Sequence, residues 1–77
     1  MKTTKNINIT ENALGFAVNN NYKTIKHYNN INEAIIEGFK IAKTENKGLV
    51  IRTFFVNVIR TSEQIANKDK CTNWLTL

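Results

Sequence analysis

The side chains able to do chemistry are few and scattered. The chain has one aspartate (Asp69), one serine (Ser62), one histidine (His27) and one cysteine (Cys71). Nucleophilic catalysis needs a base within hydrogen-bond reach of the nucleophile, and nothing in the sequence brings Cys71 to His27. A half-buried thiol and an imidazole at a polar strand edge are the simpler readings. Metal sites draw three or four ligands at motif spacing, and no such cluster is present. The five glutamates fall at helix starts and turns, where they serve as caps and solubilising charges. Gly15, Gly38 and Gly48 are isolated, so no phosphate-cradling loop is formed. The sequence therefore predicts no enzyme, no cofactor and no metal.

Composition narrows the remaining classes. Seventy-seven residues make one domain, 1–77, near the lower size limit for a self-supporting core. Such a core supplies only about 3–5 kcal/mol, so extra burial in a dimer or complex would matter. The residues are 42% hydrophobic and include no proline, as in a folded domain. A net charge of +5 invites a nucleic-acid reading. Against it, 13 asparagines, 10 isoleucines and 9 lysines, all with AT-rich codons, dominate the chain, while arginine, the residue of bidentate phosphate recognition, occurs twice. The single cysteine suits a reducing compartment. Met1 to Thr10 has no continuous apolar run, so no signal peptide is expected. No stretch approaches the roughly 20 apolar residues of a membrane span. A cytoplasmic location is expected.

The elements follow from periodicity. Lys5 to Thr10 alternates, with Ile7 and Ile9 on one side, and Glu11-Asn12 reads as a turn. Ala13 to Val18 places Leu14, Phe16 and Val18 on one face, and Asn19-Asn20-Asn21 provides the next turn. Tyr22 to Tyr28 is a third strand. A helical turn capped by Thr10 is the alternative for the first connection. Asn30 with Glu33 forms a capping box, and Ile31, Ala34, Ile35, Phe39 and Ala42 make a helical stripe that ends at a Gly48 C-cap. Leu49 to Arg60 reads as one long strand, with Leu49, Ile51, Phe55 and Ile59 on one side and Val50, Phe54, Val56 and Val58 on the other. Thr61 to Gln64 resembles a second capping box that opens a short helix to about Asn67. Cys71 to Leu77 carries Trp74 and either adds an edge strand or folds back over an apolar surface. The fold class expected is α+β: a two-layer, antiparallel sheet in β-β-β-α-β order packed on one main helix, with a short C-terminal helix or strand.

A strand apolar on both faces needs two covers, and the sequence offers one strong helix. Phe54, Val56 and Val58, framed by Arg52 and Arg60 and joined by Trp74, have the aromatic and arginine character of a protein interface. Sealing of this face by Ile65 to Leu77 is the competing reading. A nucleic-acid surface would use Tyr22, Lys23, Lys26, His27 and Tyr28 on the third strand. Three strands followed by a helix are similar in outline to the arm-type DNA-binding domains of phage integrases, in element order alone. Arg52 to Val58 departs from the central-strand motif of RNA-recognition domains. Thr53 replaces the glycine and Val58 the last aromatic, and adjacent Phe54 and Phe55 alternate faces.

With its small size, single cysteine, Asn30-to-Gly48 helix and two-faced Leu49-to-Arg60 strand, the chain resembles phage- and plasmid-encoded accessory proteins of the anti-CRISPR type. That class shares no motif, so no site residue carries over. The resemblance implies a non-enzymatic inhibitor that docks on a host defence nuclease complex of the CRISPR-Cas type. The alternative is a small basic DNA-binding regulator or recombination accessory using the meander. A homodimer is compatible with either.

Overall fold

The computed structural model describes residues 4–67. The elements run β1 (Asn6–Asn12), β2 (Gly15–Asn20), β3 (Lys23–Tyr28), α1 (Ile31–Glu45), β4 (Gly48–Arg52), β5 (Asn57–Arg60) and α2 (Ser62–Ala66). The expected C-terminal strand at Cys71 to Leu77, and Trp74 within it, lie outside the described residues. No described helix is long and apolar enough to cross a membrane.

The α+β class holds, and two of its expected details are corrected. The sheet is mixed, in the order β3-β2-β1-β4-β5. β1 pairs antiparallel with β2, β2 with β3 and β4 with β5, but β1 and β4 are parallel. The reason is the helix. Its 15 residues carry the chain about 22 Å, back along the sheet to the end where β1 and β3 begin. The strand that follows must run with them. The second correction concerns the long strand, which is two. A turn over Thr53 to Val56 divides it into β4 and β5, so the order is β-β-β-α-β-β-α.

Turns and caps also move by a residue or two. The first hairpin turns at Ala13-Leu14, where Asn12 Oδ1 accepts from the Leu14 N–H at 2.8 Å. The second turns at Asn21 and Tyr22, both with positive φ (53° and 66°), the geometry a two-residue hairpin favours. Asn30 caps α1 through Oδ1, which accepts from the Asn32 N–H at 2.7 Å. The left-handed C-cap is Asn46, φ 57°, rather than Gly48. Thr61 and Gln64 form a complete capping box at α2.

The core lies between the sheet and the two helices. Ile7, Ile9, Val18, Leu49 and Ile51 pack against Ala34, Ile35, Phe39 and Ala42 of α1 and Ile65 of α2. At Gly38 helix and sheet come close: a Cβ there would stand 3.0 Å from Ile9 Cδ1 and 3.1 Å from Leu49 Cδ1. Lys47 fastens the far end of this layer and is buried. Its Nζ donates to Asn20 Oδ1 at 2.6 Å and Asn21 Oδ1 at 2.9 Å, and lies 3.2 Å from Glu45 Oε1. Asn20 Nδ2 closes the ring on both Glu45 oxygens. The Asn20 hydrogen bond first, then Lys47, holds the Glu45 carboxyl below its ordinary pKa. That contribution is present above the unfolded pKa and fades as pH falls through the lowered folded value.

Two substitutions test these contacts. Gly48 opens β4 in a gap where a Cβ would come within 2.6 Å of the Arg60 carbonyl oxygen. Gly48→Ala is expected to cost about 1–3 kcal/mol in urea unfolding; an unchanged midpoint would contradict the packing. Lys47→Met, which leaves Asn20 Oδ1 without its donor while Asn21 Oδ1 keeps the Thr4 N–H, is expected to cost about 1–3 kcal/mol at neutral pH. Full stability in that variant would show that the ring is dispensable.

Candidate functional site

The division of the long strand creates the most exposed apolar feature of the described chain. The turn is closed by Thr53 and Val56. The Thr53 N–H donates to the Val56 carbonyl at 2.9 Å, and the Val56 N–H donates to Thr53 Oγ1 at 2.9 Å. Thr53 Oγ1 in turn donates to the Val56 carbonyl at 3.1 Å. The threonine hydroxyl thus takes a place that a backbone carbonyl would hold in a plain hairpin. Glu11 Oε1 accepts from the Phe54 N–H at 3.1 Å, which ties the turn to β1. Phe54 and Phe55 occupy the tip and are 78% and 93% exposed. Because β1 and β4 are parallel, the Ala13-Leu14 turn lies at the same end of the sheet, and Leu14 is exposed as well.

The residues expected to form the protein interface therefore separate. Arg52 is exposed and registers with Thr10 and Asn57 on the sheet face away from the helices. Val58 and Arg60 register with Ile51 and Leu49 on the helix side, and Val56 and Val58 pack against the margin of the core. Phe54 stands at the tip. Trp74 lies outside the described residues. Strand alternation puts Phe55 on the side of Leu49 and Ile51, and Leu14 on the face of Phe16 and Val18; the structure instead exposes both at turns. The turn that exposes both phenylalanines has no glycine or asparagine between Thr53 and Val56 to announce it.

The second group, Tyr22, Lys23, Lys26, His27 and Tyr28, lies on or beside the edge strand β3. Tyr22 sits in the turn next to Lys23, at the end opposite Tyr28. Lys26, His27 and Tyr28, with Asn29, Glu33 and Ile36, line a shallow groove of about 480 Å³ between β3 and α1. Lys26 Nζ lies 5.1 Å from the centre of the Tyr28 ring. Burial, then the charges of Glu37 and Glu33, push the Tyr28 hydroxyl pKa up, so it stays protonated across the neutral range. Glu33 in the groove opposes a phosphate there.

The helix-free face has a different character. One row across all five strands reads His27, Ala17, Thr10, Arg52, Asn57. In the next, Asn19, Asn8 and Val50 are neighbours. Ala17 and Val50 are buried, and Asn19 is held by Thr10 and by Thr24, whose hydroxyl donates to it at 2.6 Å. Among the described residues no helix covers this face, and no group of three metal-ligating side chains gathers anywhere.

Thr53→Val keeps the shape of the turn-closing residue and removes its hydroxyl. It is expected to cost about 1 kcal/mol and to speed hydrogen exchange at the Val56 amide. Unchanged exchange there would show that the hydroxyl does not hold the tip. Comparison of the chain with protein-family models, with curated proteins and with solved structures returned no match.

Proposed function

We propose that this chain is a small non-enzymatic binding protein that grips a protein partner with the Phe54-Phe55 tip. The exposure of both rings on a turn fixed by Thr53, Val56 and Glu11 is the observation that supports this reading. Aromatic anchors that enter a pocket dominate binding energy at protein interfaces, and a turn already ordered in the free protein loses little entropy on docking. Leu14, at the same end, extends the apolar rim.

The anti-CRISPR resemblance supplies the candidate partner: a host defence nuclease complex, occupied stoichiometrically and so kept from its nucleic acid. A positive net charge would speed encounter with an acidic surface and make the rate salt-sensitive. The rival reading, DNA binding by Lys23, Lys26 and their neighbours, gains nothing from Lys47, whose charge is spent inside the fold.

The test is a tagged pull-down from lysate of a host with active defence systems, with and without added nuclease. Wild type is compared with the double variant Phe54→Ser/Phe55→Ser. Because both rings are exposed, the variant should keep its circular dichroism and lie within about 0.5 kcal/mol of wild-type stability. The expected outcome is a stoichiometric protein complex that survives nuclease and is lost in the variant. Recovery that vanishes with nuclease, or that the variant retains, would overturn the proposal.

A further inference from the structure

We infer that the helix-free sheet face binds single-stranded nucleic acid across its strands, centred on Arg52. The inference rests on this face alone and not on the aromatic tip. All five glutamates lie elsewhere: Glu33, Glu37 and Glu45 on α1, Glu63 on α2, and Glu11 in register with Phe16 on the helix side. Among the described residues the face holds no carboxylate, and Glu33 comes near it only where His27 borders the β3–α1 groove.

Asn19, Thr10 and Asn57 on this face are tied within the fold, but three of its side chains are unspent. The side chains of Arg52, His27 and Asn8 make no hydrogen bond or ion pair among the described residues, and Arg52 is exposed. This contrasts with Lys47, which is consumed by the fold. Arg52 has the planar fork that suits phosphate or a base edge, the His27 ring offers a stacking surface, and Asn8 and Asn57 carry amides able to donate and accept. Three strand spacings separate His27 from Arg52 in their shared row, about 14 Å, so one extended strand can reach both.

Width decides between duplex and single strand. Five strands span about 19 Å between the outer axes. The major groove of DNA is about 12 Å wide and admits a two-stranded ribbon. A face this broad cannot enter it. A single strand can lie over an open sheet and splay its bases against side chains.

Fluorescence anisotropy with a labelled oligothymidylate of about 20 nucleotides, alone and annealed to its complement, tests the inference. The proteins compared are wild type, Arg52→Glu, Arg52→Gln and Lys40→Glu, a charge reversal on exposed α1 surface, each checked by circular dichroism. The expected result at about 50 mM salt is binding of the single strand in preference to the duplex. Arg52→Glu should weaken it about tenfold, Arg52→Gln less, and Lys40→Glu hardly at all. No binding, equal losses at Arg52 and Lys40, or tighter binding of the duplex would each overturn it.

Discussion

The parallel pairing of β1 with β4 is the constraint on which the other features depend. A parallel neighbour cannot be reached by a tight turn; it needs a crossover, and α1 is that crossover. The helix leaves β3 at the outer edge, passes over β2 and β1, and delivers the chain to the far side of β1. Its apolar stripe meets the inward residues of the two strands it crosses, Ile7, Ile9 and Val18, and then those of the strand it starts, Leu49 and Ile51. Two glycines make the passage possible. Gly38 lets the helix settle onto Ile9 and Leu49, and Gly48 lets β4 begin in the narrow space between Asn6 and Arg60. Where the helix ends, Lys47 locks its last turn to the β2–β3 turn through Asn20, Asn21 and Glu45.

That arrangement concentrates burial on one side. α2 returns to the helix layer and places Ile65 in the same core, so both described helices cover one face. The opposite face is left to asparagine, threonine, His27 and Arg52 around the buried Ala17 and Val50, with Ile59 exposed beside Val50, and the tip to phenylalanine. Full burial of a phenylalanine contributes about 1.5–3 kcal/mol, and a domain of this size has a net stability of only about 3–5 kcal/mol. Two rings left in water thus forgo an amount comparable with the whole stability of the fold. Their turn is nevertheless built with care, with a threonine hydroxyl satisfying the Val56 amide and a glutamate satisfying the Phe54 amide. Exposure held by specific bonds is what a docking element requires.

The legible parts of the fold were those set by local chemistry. Alternation at Ile7 and Ile9, the 3.6-residue stripe from Ile31 to Ala42 and the Thr61 capping box each depend on neighbours a few residues away, and each stands in the structure. Strand direction was not legible, because it follows from where the helix deposits the chain and not from any residue in β4. The break at Thr53 was hidden for a different reason. Thr, Phe and Val are strand formers, and a run of them offers no turn signal, yet a side-chain hydroxyl can close a turn without glycine or asparagine. The consequence falls on the site. Reading one continuous strand put Phe54, Val56 and Val58 on a common face, whereas the hairpin sends the valines to the core margin and both phenylalanines to the tip.

The central claim is that the fold completes its core without Phe54 and Phe55. Fluorine NMR of the protein carrying 4-fluorophenylalanine at its four phenylalanine positions, titrated with a soluble gadolinium relaxation agent, tests it directly. Phe39 is buried and Phe16 packs against the core, so their signals should stay sharp while those of Phe54 and Phe55 broaden together. Four protected signals would mean that the rings are covered, and would contradict a tip that waits for a partner.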